Sequence, residues 1–184
     1  MTQGSPTETL RHEHEVVGLV LEGTEKEAQF IRETGQIHCD LVERILDFSR
    51  NFTDRCHHTK EEKHLFCKMG ERGIPCEGGP IAMMLYEHEQ GRQLVREIAA
   101  RLAAGKGGNG EAIGFIRDRL FEYVELLRAH ISKENDILFP MADDVLESRD
   151  QRELAQAFEE VEAGEMGPGT HERYHRLAHE LSGR

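Results

Sequence analysis

What the chain lacks narrows its class before any motif is read. Of its 184 residues none is Trp, and no apolar run approaches the ~18 residues needed to span a bilayer. Cationic charge is scarce: 23 Lys and Arg stand against 35 Asp and Glu, a net charge of −12. Affinity for phosphate backbones comes from clustered Lys and Arg, so a nucleic-acid partner is excluded. The 4 cysteines, at 39, 56, 67 and 76, form no CxxC pair, which removes thiolate zinc sites and the thioredoxin-type redox motif. The first residues, Met1-Thr-Gln-Gly-Ser-Pro-Thr-Glu8, carry neither a basic nor an apolar segment of an export signal. A soluble, cytoplasmic protein with reduced thiols and no membrane partner is expected. Strand signals are nearly missing too, with no sustained period-two alternation and no Asn-Gly hairpin between strand-like runs.

What fills the chain is helical periodicity. The spacing predicts helices over about 8–33, 36–69, 80–104 and 111–140, separated by Gly35, by the Gly- and Pro-rich loop 70–80 and by the break 105–110. The fourth carries Ile113, Ile116, Leu120, Val124, Leu127, Ile131 and Leu138 at intervals of three, four or seven. A polar helix near 149–163, a Gly-rich segment 164–169 and a short helix over 170–182 complete the chain. Four long helices on short connections predict an all-α, up-down antiparallel four-helix bundle over 1–145, with a C-terminal helical extension over 146–184 packed on it. About 70% of the unfolded surface of such a chain is buried on folding, so a metal is not required merely to hold it together.

Eleven histidines are more than a helical core needs, and several adjoin carboxylates. Their arrangement is an internal duplication. Leu10-Arg-His-Glu-His-Glu15 resembles Met84-Leu-Tyr-Glu-His-Glu89, and His57-His-Thr-Lys-Glu61-Glu-Lys-His-Leu65-Phe66 matches His130-Ile-Ser-Lys-Glu134-Asn-Asp-Ile-Leu138-Phe139 at His, Lys, Glu, Leu and Phe. His14 precedes His57 by 43 residues and His88 precedes His130 by 42. Each HxxxE places an imidazole and a carboxylate on one helical face. Two such pairs facing each other, with one His from each remaining helix, bring four imidazoles and two carboxylates to one point. That set exceeds a tetrahedral zinc site and suits two metal ions bridged by carboxylate, iron or manganese by donor type. A lone HxxxE is most often a solvated pair, and Lys60 and Lys133 fit an exposed face, but a solvated surface has no reason to repeat His-Lys-Glu-Leu-Phe in register.

The pattern Glu13-His14, Cys56-His57-His58-Thr-Lys-Glu61-Glu62, Glu87-His88 and His130-Ile-Ser-Lys-Glu134 with Leu138-Phe139-Pro140 resembles the hemerythrin-like family, also called the His-His-Glu (HHE) cation-binding domain, over about residues 8–145. The resemblance implies a bundle enclosing a non-haem diiron centre with bridging carboxylates, and the metal ligands His14, His57, Glu61, His88, His130 and Glu134. It implies two Fe ions, with Mn or Zn as substitutes, and a small diatomic or peroxide ligand. Oxygen-carrying members typically have a second His on the third helix, four residues after the first; here that position is Arg92, expected to turn outward or pair with an acid.

His58 is a candidate seventh ligand, because the stripe Ile45, Phe48, Phe52, continued at ideal pitch, misses His57 by a quarter turn or more. A π-type bulge reconciles the two registers and brings His58 within reach; the alternative pairs His58 with Glu62. His171 and His175 are candidates for the metal centre or its access, while His12, His38 and His64 read as surface residues. Cys56, opposite Ala129 in the repeat, reads as small buried packing, and Cys67 with Cys76 as a candidate redox pair. The expected function is binding of, or reaction with, O₂, peroxide or NO in sensing, redox chemistry or detoxification. An oxidase, peroxidase or NO-handling activity, iron storage or donation, and a metal-free structural bundle are the alternatives. Glu62, Tyr86 and Tyr123 are candidate proton donors if they face inward. Oligomeric state, monomer or dimer, is left open.

Overall fold

A computed structural model describes residues 4–166 and 170–183, with 165, 166, 170 and 171 described by backbone alone. Six helical rods and no strand occur among the described residues. Helix α1 (Pro6–Thr34) starts two residues earlier than its periodicity suggests. Ser5 caps it in a reciprocal capping box with Glu8, and Pro6 occupies the first turn, where its missing N–H costs nothing. It ends on Gly35 at φ 69°, the left-handed conformation glycine adopts without strain.

Helix α2 covers 39–71 as one rod of changing pitch: Cys39–Phe48 is α-helical, Ser49–His58 and Glu61–Leu65 are π-wound, and Phe66–Glu71 returns to α. Helix α3 is Pro80–Lys106. Helix α4 runs through Gly110–Lys133, a π-wound Glu134–Leu138 and Phe139–Val145. Pro140 therefore does not end α4 near 140 as expected. It falls just after the widened turn, where an unpaired backbone position tolerates a residue with no N–H.

The four rods form the up-down bundle, α1 and α3 each packing against both α2 and α4. Two apolar clusters divide it along its length. One holds Val17, Phe48, Phe52, Ile98, Ile116 and Val124, and the other Leu10, Leu65, Phe66, Met84, Leu138 and Phe139. Between them every rod buries charged or imidazole side chains, among them Glu13, His14, His57, Lys60, Glu61, Glu87, His88, His130 and Glu134.

Helix α5 (Ser148–Val161) continues through a π-wound Glu162–Met166, so the Gly-rich segment expected over 164–169 is helical up to 166, and 167–169 lie outside the described residues. Leu154 and Phe158 of α5 enter the Leu10–Phe66 cluster. Helix α6 (Thr170–Ser182) lies on α1 and buries Tyr174, Ala178 and Leu181. The approach is close because Gly23 has no side chain: a Cβ there would stand 2.7 Å from the Leu181 carbonyl oxygen.

Candidate metal centre

The π-wound segments place the site. A π turn holds more than four residues, so each one rotates the residues beyond it relative to an α continuation. Across Ser49–His58 this rotation carries Phe52 and His57 onto the same interior side, 0% and 2% exposed, which ideal pitch would not do. The structure brings together His14, His57, Glu61 and Glu134 in one group and His58, His88 and His130 in a second. The ligand atoms within each group lie within 4.8 Å of one another.

The two groups share a centre. His14 Nε2 stands 3.0 Å from His57 Nε2, and His88 Nε2 stands 3.0 Å from His130 Nε2. Glu61 reaches across, Oε1 lying 3.4 Å from His57 Nε2 and Oε2 3.4 Å from His88 Nε2. Glu134 Oε2 lies 3.2 Å from both His14 Nε2 and His130 Nε2. Both glutamates are fully buried, and none of their four carboxylate oxygens accepts a hydrogen bond. Burying a carboxylate so sparsely hydrogen-bonded is costly unless cations meet it.

Every Nδ1 of the four imidazoles is meanwhile engaged outward. His57 donates to Glu13 at 2.8 Å, His130 to Glu87 at 3.0 Å, His88 to Glu62 at 2.7 Å and His14 to the Asn135 side-chain oxygen Oδ1 at 2.9 Å. With Nδ1 donating outward, Nε2 is the nitrogen that each imidazole offers a metal at the interior, once any second proton on it is displaced. Lys60 and Lys133 in turn hold Glu13 and Glu87. The duplication thus extends through a second layer: Glu13–His57–Lys60 repeats as Glu87–His130–Lys133, and Phe139 stacks on His14 as Phe66 stacks on His88.

Glu13, Glu87 and the two lysines were absent from the expected site. Their signal was present in the duplicated Glu-His and Lys-Glu dipeptides. Lys60 does not lie on the exposed face of a solvated pair: it is 0% exposed, bound to Glu13 and to Glu162 at 2.6 Å, with the Phe158 ring 5.6 Å away.

Symmetry fails around His58. Its ring stacks on His88 at 3.7 Å and its Nδ1 faces Asp54 at 3.5 Å, so it does not pair with Glu62. Glu62 instead joins His88 to Arg92, which also binds Asp54 at 2.7 Å. Beside this cluster opens a cavity of about 120 Å³ lined by Ser49, Thr53, His58, Arg92, Tyr123 and Leu127, among others. Tyr86 is 60% exposed and far too open to serve the interior; Tyr123 is buried against the cavity.

Electrostatics follow the geometry. Burial disfavours charge on His57 and His130, but the carboxylates facing them win, Glu61 and Glu13 raising His57 to about 10, Glu134, Glu61 and Glu87 raising His130 to about 9. Burial also opposes ionisation of Glu134, which His130 and His14 nonetheless hold well below the ordinary carboxylate range. His58 shifts the other way, pushed well below its ordinary value by burial and by the neighbouring imidazoles. Burial, in Tyr123, lifts the phenol to about 12.

The remaining candidates stay outside. His175 joins neither group, standing edge-on to Phe52 in a cleft that Glu13 and Glu162 also line. The side chain of His171 lies outside the described residues. His12 is exposed beside Glu15; His38 is a half-exposed surface residue bonded to Glu27; His64 is half-buried. Cys56 is fully buried, whereas Cys67 and Cys76 are exposed and form no disulfide.

A helical bundle with imidazoles and carboxylates from all four rods converging at mid-length defines a cation-binding bundle protein, and the clusters fit a metal site. Residues 5–142 match the Hemerythrin HHE cation binding domain, and the chain belongs to that family. It is similar to uncharacterized proteins of Mycobacterium tuberculosis and Mycobacterium bovis, 22% identical over 160 residues. That alignment covers 87% of this chain and 62% of each relative. No solved structure matches it. No helix among the described residues is long and apolar enough to cross a membrane.

Proposed function

We propose that this chain holds two iron ions between His14, His57, His58, His88, His130, Glu61 and Glu134, and binds or reacts there with O₂, peroxide or NO. The observation that carries this reading is the pair of buried glutamates whose four oxygens accept no hydrogen bond while four imidazoles crowd around them. In a metal-free bundle only the protons on His57 and His130 meet these carboxylates, without a hydrogen bond to any of the four oxygens, whereas two cations satisfy them directly. Glu61 and Glu134 each face imidazoles of both halves, so either carboxylate would be within reach of ions held by both.

Two iron ions held by these residues would supply redox chemistry toward a small oxidant. The protein's own residues prepare that encounter. Glu13, Glu87, Glu62 and Asn135 orient the four imidazoles, and Phe66 and Phe139 exclude water from the end that carries them. Arg92, standing where an oxygen carrier typically has a further histidine, ties Glu62 to Asp54 and borders the cavity beside His58. The set is thus weighted toward sensing or redox chemistry rather than stoichiometric oxygen transport. Both carboxylates are 0% exposed, which favours retained over labile iron and so weighs against storage or donation.

Metal analysis of the purified protein tests the reading. About two iron atoms per chain are expected, with loss of both in Glu134→Ala and His130→Ala; full iron in both variants would overturn the assignment. Anaerobic mixing of the reduced protein with O₂, H₂O₂ and NO then separates a stable reversible absorption band from irreversible oxidation with turnover.

A further inference from the structure

Three of the four exposed large apolar side chains among the described residues border one ion pair, Glu87–Lys133: Met83 and Tyr86 on the first turns of α3 and Ile137 on the π-wound turn of α4, with exposures of 50%, 60% and 53%; Leu85, at 38%, lies on another side of α3. The internal repeat gives this place a direct counterpart. Met83, Tyr86, Lys133 and Ile137 correspond to Thr9, His12, Lys60 and His64 on α1 and α2. Over the Thr9, Lys60 and His64 part of that face α5 is seated, Leu154 and Phe158 joining Leu10, Leu65 and Phe66 in one apolar cluster, while His12 stays exposed. Phe158 lies over Lys60, and Glu162 closes on the Lys60 ammonium, leaving it 0% exposed.

On the second face no described segment is seated. Lys133 binds Glu87 as Lys60 binds Glu13, yet is 38% exposed. The residues bordering the two lysines are inverted in polarity. Thr9 and His64 are polar where α5 partly covers them; Met83 and Ile137 are apolar where no segment of the described chain does. Met83 is four residues before Glu87 and Ile137 four after Lys133, on antiparallel rods, so both flank the Glu87–Lys133 pair at the same end. An apolar rim around a half-exposed lysine selects an apolar partner that brings a carboxylate to that one cation, as Glu162 does to Lys60.

We propose that the face formed by Met83, Tyr86, Lys133 and Ile137 docks an amphipathic acidic helix of a partner protein, in the manner that α5 docks on the repeat-related face. The occupant presents apolar residues four apart and a carboxylate one turn further on, as Leu154, Phe158 and Glu162 do, with the acid on Lys133 and an aromatic ring above it.

A fluorescent peptide of residues 148–166, added in trans to the metal-loaded full chain, tests this. Saturable binding in the micromolar range is expected, weakened about tenfold or more by Ile137→Ser or Met83→Ser in the protein and by Phe158→Ala or Glu162→Gln in the peptide. Both protein substitutions are at exposed positions outside the metal centre, so unchanged iron content and helicity confirm that folding is intact. Three results would overturn the proposal: no binding at millimolar peptide, binding indifferent to Ile137→Ser and Met83→Ser, or a concentration-dependent dimer that Ile137→Ser abolishes, which assigns the face to a second copy.

Discussion

A buried histidine with a carboxylate on each nitrogen has two masters, and His57 and His130 show the consequence. In the protein groups alone Glu61 with Glu13, and Glu134 with Glu87, favour the imidazolium, so these two residues titrate near 10 and 9. Their raised pKa stabilises the metal-free fold fully below the ordinary histidine value of about 6.5, and that contribution is lost as pH rises through about 9 and then about 10. A cation needs both Nε2 lone pairs, so metal must displace these protons. Loading the chelated protein with Fe(II) in weak anaerobic buffer near pH ~7.5 should therefore release about two protons per chain, and binding should tighten as pH rises toward 9. Loading with no acidification, read by a pH electrode, would contradict this. His58 contributes nothing to the count, since burial and its imidazole neighbours already keep it neutral.

At the level of the helix, the site depends on winding. Ile45, Phe48 and Phe52 define an apolar stripe, and only the π-wound Ser49–His58 lets His57 and Glu61 share its interior side. The same device recurs at Glu61–Leu65 and, in the repeat, at Glu134–Leu138. Deleting the exposed Arg50 removes one residue from the widened stretch and turns everything beyond it by about 100° relative to the stripe. Such a variant should keep its helical circular dichroism yet lose its iron. Retention of iron would show that the ligands do not depend on the winding. The mismatch between stripe and His57 was legible in the residues. Its extent was not: a ten-residue π stretch costs hydrogen-bond geometry, and only packing against three other rods offsets it.

Across the whole molecule the duplication is broken by the C-terminal helices. One half of the site has its outer lysine sealed by Phe158 and Glu162; the other leaves Lys133 half exposed. Phe158, 3% exposed, both fills the Leu10–Phe66 cluster and roofs the Lys60 ammonium. Phe158→Ala should cost about 3–5 kcal/mol in denaturant unfolding of the metal-loaded protein, the loss expected for a fully buried aromatic. A loss below about 1 kcal/mol, in the range of surface substitutions, would mean that α5 does not seal this half.

The helical class, the four long rods and the convergence of His14, His57, His88 and His130 with Glu61 and Glu134 were determined by the residues themselves, because hydrophobic period and an in-register repeat are local properties that survive without coordinates. So was the question over His58, posed by a register that ideal pitch could not satisfy. The tertiary structure alone decided that Lys60 is buried rather than solvated, that Glu13 and Glu87 fix the imidazole tautomers, that Arg92 ties Glu62 to Asp54, and that His175 stays apart. Each of these depends on what a different rod places opposite a side chain, and a charged residue reads the same along the chain whether its neighbour in space is water or a carboxylate.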